Sequence, residues 1–161
     1  MDPQMKTNKK LVITGANGML GSALVRHYRD QYEVYALHRD GYCLEECTGG
    51  FSVDLLDAKE VKRVIGNIEP YVVIHCVGVA NIDYCEGNKK EAYDVNVTST
   101  ANIVNTCRAD TTVVYISTDQ IYGSAPECYD ELGQFQPLNY YGETKYIAEQ
   151  LVAEGCRRHI I

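Results

Sequence analysis

The sequence predicts an α/β fold, a doubly wound parallel sheet with helices on both faces. Three observations carry that prediction. Short apolar runs alternate with amphipathic segments from residue 10 onward, the pattern of strands joined by helical crossovers. The first apolar run passes at once into a glycine-spaced turn and then a helical stretch. The chain has 161 residues, 45% hydrophobic and 23% charged, which suits one compact domain and leaves no room for a second full one.

Leu11-Val-Ile-Thr14 is the first strand. Met19 to Arg29 follows as a helix with Leu20, Ala23, Leu24 and His27 or Tyr28 as its apolar stripe. Glu33 to Leu37 is the second strand and Phe51 to Val53 a short third. Asp57 can cap a helix whose stripe is Val61, Val64, Ile65 and Ile68. Tyr71 to His75 reads as a buried fourth strand, and Lys89 to Arg108 as a long helix carrying Ala92, Val95, Val97, Ile103 and Val104. Thr111 to Ile116 is the fifth strand. The loop from Thr118 to Pro137, with Gly123, Pro126, Gly133 and Pro137, is long enough to read as functional. Tyr140 to Glu154 closes as a helix, and Arg157-Arg-His-Ile-Ile161 reads as a basic helix end running into the start of a sixth strand. The expected organisation is a polar tail over 1–9 and a Rossmann-like domain over 10–161, cut within that sixth strand.

The formal net charge of -7 argues against nucleic acid or an anionic membrane as partner. Seven cysteines, odd in number and irregular in spacing, with no secretion signal ahead of them, imply a reduced cytoplasmic setting. No apolar run approaches the roughly 18 residues of a membrane span. Cys43 and Cys47 with His38 upstream lack a second ligand pair at zinc-site spacing, so no metal is expected.

Thr14-Gly15-Ala-Asn-Gly18-Met-Leu-Gly21 follows the first strand and opens the first helix. Gly15 permits the turn, Gly18 lets backbone amides approach a pyrophosphate, and Gly21 allows helix to pack on strand. Gly15, Asn17, Gly18, Met19, Leu20 and Gly21 are therefore the candidate diphosphate-binding residues of a dinucleotide site. At the end of the second strand stands His38-Arg39-Asp40. Arg39 suits a 2′-phosphate and favours NADP(H), whereas Asp40 would serve NAD(H) if the strand ran a residue or two longer.

Ser117-Thr118-Asp119 follows the fifth strand, and Tyr141-Gly-Glu-Thr-Lys145 opens the last helix. Four residues make one helical turn, so the Tyr141 phenol and the Lys145 ammonium face the same way, while Tyr140 pairs with Thr144 and is the weaker candidate. A close ammonium, together with the positive ring of an oxidised nicotinamide, would stabilise the phenolate. Thr118, at the carboxyl end of a parallel strand, can orient a substrate carbonyl. Thr118, Tyr141 and Lys145 are the candidate catalytic residues.

With these motifs the chain resembles the extended short-chain dehydrogenase/reductase family, and within it the dTDP-4-dehydrorhamnose reductases. The likeness runs from Leu11 to about Val152 through the glycine loop, Val53-Asp-Leu-Leu-Asp57, Asp94-Val-Asn-Val97, Ile116-Ser-Thr-Asp119 and Tyr141-Gly-Glu-Thr-Lys145. The resemblance implies that Asp54 and Leu55 flank the adenine and that Val77 and Gly78 border a cofactor ribose. It implies further that Thr118 and Tyr141 meet the substrate carbonyl and that Lys145 holds the nicotinamide ribose. Asn96 would tie the long helix to its neighbouring strand. Cys76-Val77-Gly78 departs from the small alanines usual in the family. The implied enzyme is an NAD(P)-dependent oxidoreductase reducing a nucleotide-linked 4-keto sugar. Its sugar pocket would come largely from a smaller carboxyl-terminal domain missing here, so the polypeptide alone is not expected to turn over. An epimerase or dehydratase of nucleotide sugars uses the same apparatus. A cofactor-binding regulatory subunit, like the β subunit of methionine adenosyltransferase, would need no chemistry. The oligomeric state is left open, with a homodimer among the expectations.

Overall fold

The computed structural model describes residues 7–41, 46–124, 129, 133 and 135–161. Cys43 and Cys128, and with Cys43 the Cys43–Cys47 pair, lie outside the described residues. Among the described residues, no group of His, Cys, Asp and Glu is placed to hold a metal, and no helix is long and apolar enough to cross a membrane.

Six strands form one sheet: β1 (Lys10–Thr14), β2 (Glu33–His38), β3 (Gly49–Ser52), β4 (Val72–His75), β5 (Thr112–Tyr115) and β6 (Arg158–Ile160). All pair in parallel, in the order β3-β2-β1-β4-β5-β6. The order reverses direction between β1 and β4, the place where open α/β sheets leave a crevice at their carboxyl ends. The expected Rossmann-like architecture is therefore present.

Alternation along β1 sends Val12 to one face of the sheet and Leu11 and Ile13 to the other. On the first face, Val12, Leu37 and Val73 pack against Val61, Val64, Ile65 and Ile68 of α2 (Ala58–Ile68) and Ile103 of α5 (Ser99–Val104). Farther along, Val113 and Tyr115 pack against Ala148 and Val152 of α6 (Tyr140–Gly155). On the second face, Ile13, Val34 and Ala36 pack against Val25 of α1 (Met19–Tyr28). The α2 stripe read from the sequence is buried as expected, and the Asp57 carboxylate accepts from the amides of Lys59 and Glu60 as its cap.

Two elements differ from expectation. The α1 stripe is found in part: Leu24 and Tyr28 face the core as expected, but Gly21 and Val25 complete it while Leu20, Ala23 and His27 are exposed. Gly21 sets this phase, because it is the residue that lies against the backbone of the preceding turn. The long helix from Lys89 to Arg108 is also interrupted. It runs as α4 (Lys89–Tyr93), a π-helical turn Asp94–Thr98 and α5, ends at Val104, and is preceded by α3 (Ile82–Gly87), where none was expected. Asn81 caps α3 by accepting from the Tyr84 amide, a local signal carried by one side chain. Inside the long loop, Asp119–Ile121 forms a 3-10 turn and Tyr122 bridges Phe135 in antiparallel fashion.

Candidate active site

Where β1 runs out, Gly15 takes φ +64°, a left-handed conformation that strains any residue with a Cβ. The turn it makes lets Ala16 N–H donate to the Leu37 carbonyl at 3.1 Å and Gly18 N–H donate to the Gly15 carbonyl at 2.9 Å. A Cβ on Gly21 would stand 2.2 Å from the Gly15 carbonyl oxygen, so helix and turn approach this closely only with glycine there. The ladder of α1 opens with Ser22 N–H donating to the Gly18 carbonyl. The amides of Met19, Leu20 and Gly21 precede it, at the positive end of the helix.

A cavity of about 390 Å³ runs along the carboxyl ends of β1 to β4. Gly15, Asn17 and Gly18 form one wall; Arg39 and Asp40 stand after β2, Asp54 and Leu55 after β3, and Val77 and Gly78 after β4. The residues expected there outside the start of α1 and outside α6 are thus all brought together around it. The side chains of Met19 and Leu20 do not line it: Met19 is 92% exposed, and only the backbone of these two residues is placed to serve an anion. Arg39 Nε lies 3.3 Å from Asp40 Oδ2 at the exposed rim, and Asn17 Nδ2 donates to the Asp40 carbonyl at 2.8 Å, tying the glycine loop to the end of β2. His38, read from the sequence only as the neighbour of Arg39 and Asp40 and as an unpaired metal candidate, lines the cavity and keeps a buried Nδ1 with no hydrogen-bond partner among the described residues. Asp54 is held in place by its own local bonds, its Oδ1 accepting from Leu56 N–H and its N–H donating to Glu60 Oε2, each at 2.9 Å.

Beneath the crevice, the Thr14 hydroxyl and His75 Nδ1 are 2.7 Å apart, which joins the ends of β1 and β4. Burial, and secondarily the Lys145 ammonium, push the His75 imidazole down to about 3, so the ring is neutral and serves as a strut. Asn96, buried in the π-helical turn, is the second strut. Its Oδ1 accepts from Val79 N–H at 2.8 Å, and its Nδ2 donates to the Val79 carbonyl at 3.1 Å and to Thr144 Oγ1 at 2.9 Å. This joins the segment after β4 both to the π-helical turn and to α6. Val79, Glu91, Val95 and Ser99 also line the cavity without having been singled out from the sequence as ligand-facing. Glu91, Val95 and Ser99 fall at four-residue spacing along the interrupted helix, so one face of it meets the crevice, and Val79 comes from the segment after β4.

Helix α6 starts at Asn139, whose Oδ1 accepts from Gly142 N–H at 2.8 Å. A Cβ on Gly142 would stand 2.2 Å from the Gln120 carbonyl oxygen, which explains the glycine of the Tyr-Gly-Glu-Thr-Lys motif. Close packing there brings Thr118 and Tyr141 together. Burial raises the Tyr141 phenol above its ordinary value, and the Thr118 hydroxyl, by hydrogen bonding, works in the opposite direction. Among the chain's own groups, burial therefore dominates at this phenol. Lys145 Nζ donates to the Ile116 carbonyl and lies 4.1 Å from the centroid of the Tyr115 ring. Burial lowers the Lys145 ammonium to about 8, against the raising effect of Glu149 and Cys76. A Cβ on Gly78 would stand 4.0 Å from Lys145 Nζ, so the amine sits at the margin of the cavity that Gly78 lines. Tyr140 lies apart from this group, beneath Lys89 Nζ at 4.8 Å.

A family profile described as the RmlD substrate binding domain matches residues 9–161. The chain belongs to the RmlD substrate-binding domain family. Among curated relatives of this RmlD-family chain, methionine adenosyltransferase 2 subunit beta of Bos taurus is 30% identical over 150 residues, covering 92% of this chain and 44% of the relative. Among solved structures, the dTDP-4-dehydrorhamnose reductase of Bacillus anthracis in complex with NADP is similar with a TM-score of 0.82 at 29% identity, over 95% of this chain and 52% of that one. UDP-glucose 4-epimerase of Thermus thermophilus in complex with NAD is similar with a TM-score of 0.82 at 25% identity, over 90% of this chain and 50% of that one. The chain thus spans about half the length of the proteins it matches.

Within the RmlD-family frame, the site has two connected parts. One is the cavity under the glycine loop, along the carboxyl ends of β1 to β4. The other is the Thr118, Tyr141 and Lys145 group, reached past Gly78. Glycines at 15, 18 and 21, free amides at the start of α1 and an open cavity along four strand ends fit a dinucleotide.

Proposed function

We propose that this chain is the cofactor-binding and catalytic part of an NAD(P)H-dependent reductase acting on a nucleotide-linked 4-keto sugar, of the dTDP-4-dehydrorhamnose reductase kind. The observation that carries the reading is the position of Lys145 Nζ beside Gly78 at the cavity margin, with the Thr118 hydroxyl on the Tyr141 phenol of the same helix as Lys145. Membership of the RmlD family and the likeness to a reductase solved with NADP support it.

The glycine-loop amides would hold the diphosphate, Asp54 and Leu55 the adenine end, and Val77, Gly78 and Lys145 the nicotinamide end. A bound reduced nicotinamide supplies the hydride that goes to the keto carbon. Thr118 accepts or donates at the substrate oxygen and keeps it against Tyr141, whose phenol gives up its proton to that oxygen as the carbonyl becomes an alcohol. Lys145, with an ammonium brought down to about 8, is poised to steady the resulting phenolate and to return a proton. Arg39 at the rim favours NADP(H), with NAD(H) second.

The test is deuteride transfer from labelled NADPH to the keto carbon of a dTDP-linked 4-keto sugar, with the chain extended to its relatives' length by the carboxyl-terminal half of the Bacillus anthracis reductase. Incorporation into the sugar alcohol supports the reading, and a redox-neutral epimerised product would replace it with the epimerase reading. A second reading, a regulatory cofactor-binding subunit, is favoured by the likeness to the methionine adenosyltransferase subunit. Co-purification of a transferase, with no turnover of any keto sugar, would select it.

A further inference from the structure

Helix α6 carries a buried acid that the proposed chemistry leaves unused. Glu149 is 5% exposed and stands one turn after Lys145, itself 4% exposed, on the same face of the helix. Ser117 lies against the Glu149 carboxylate, yet its buried Oγ has no well-formed hydrogen bond among the described residues. The Lys145 amine is held between the Ile116 carbonyl and the Tyr115 ring, both from the β5 end of the sheet. Two ionisable groups buried one helical turn apart act on one another more strongly than an exposed pair does, and each lowers the cost of the other's burial as an ion.

We propose that Glu149 is a positioning residue: its buried carboxylate, one turn along α6 on the same face, supports the charged form of the Lys145 amine that the Ile116 carbonyl holds at the cavity margin beside Gly78. The titratable groups around that amine are Glu149 and Tyr141 on α6, His75 and Cys76 at the end of β4, and Tyr115 on β5. Of these, His75 is neutral, and burial drives Cys76 up to about 11 and Tyr115 above its ordinary value, so Glu149 is the one carboxyl group in the set. Burial raises Glu149 as well, while Ser117 and Lys145 pull it back down. The importance of Lys145 rests on the function proposed above; the coupling itself does not.

The test is a proton titration of the purified chain by NMR, reading the Lys145 side-chain nitrogen and the Glu149 carboxyl carbon, without any dinucleotide. In the unaltered chain each signal should carry a second inflection at the other's midpoint; signals that titrate independently overturn the proposal. In Glu149→Gln, which keeps size and polarity, the Lys145 midpoint should fall by about 0.5–1 unit, a three- to tenfold weaker hold on the proton. An unchanged midpoint contradicts the proposal, since a merely structural glutamate would leave it in place. If that variant does not fold, Lys145→Met decides the matter through the reciprocal effect: the Glu149 midpoint should rise. Failure of the chain to bind NADPH would count against the proposed function and leave this titration standing.

Discussion

At position 21 a single methyl group would stand 2.2 Å from the Gly15 carbonyl oxygen. Gly21→Ala should therefore cost roughly 1–3 kcal/mol in urea unfolding, the range for forced overpacking. A loss under a few tenths would mean that helix and turn separate easily and that the loop is not fixed as described. Lys145 gives a pH-dependent prediction. Its folded value of about 8 lies below its ordinary 10.5, so the folded chain binds fewer protons than the unfolded one between those pH values. The cost of burying the ammonium is complete below about pH 8 and relieved as pH rises towards 10.5. The stability difference between the natural chain and Lys145→Met should shift towards the natural chain over that window, by about 1.4 kcal/mol for each unit of lowering. A difference that does not change between about pH 7.5 and pH 10 would deny the lowering. Tyr141→Phe, in the extended protein, should remove ketone reduction while leaving dinucleotide affinity within about threefold; retained turnover would discard the phenol as proton donor.

Among the elements, the π-helical turn does more to shape the site than any other local feature. It carries Asn96, whose three hydrogen bonds join Val79 to α6 through Thr144. Asn96→Ala should destabilise by about 2–4 kcal/mol, because the Val79 amide and carbonyl both lose their partner; a change below about 0.5 kcal/mol would show that the clamp is dispensable. This turn also marks a limit of what the sequence discloses. Strand positions, the Asp57 cap and the α2 stripe follow from patterns that act over a few residues, and each is found within a residue or two of its expected place. The π turn within Asp94–Thr98 has no such pattern: the extra residue per turn is offset by tertiary bonds from Asn96 to distant partners. At Leu20 and Ala23 the α1 stripe departs from expectation for a related reason. Apolar spacing favours Leu20 and Ala23, but contact of Gly21 with the Gly15 carbonyl, a feature of the turn, fixes the rotation of the helix.

For the molecule as a whole, the reversal of strand order between β1 and β4 opens the crevice, and the strand ends bring distant residues to it. The glycine loop, the β2 end and the Tyr-Lys motif were legible because their spacing is tied to backbone geometry. Cavity-lining residues such as Val79 and Ser99, and the buried Glu149, were not, since only the assembled sheet and helices bring them near the site. Filling of the cavity should stabilise the whole fold: at a dinucleotide concentration about a hundred times its dissociation constant, unfolding should cost about 2.7 kcal/mol more. The direct measurement of the central claim is calorimetric titration of the chain with NADPH and NADH, beside a Gly18→Glu variant that places a carboxylate at the mouth of the turn. The account predicts one saturable site, tighter for NADPH, and its loss in the variant. Absence of binding by either dinucleotide, or equal binding by the variant, would contradict it.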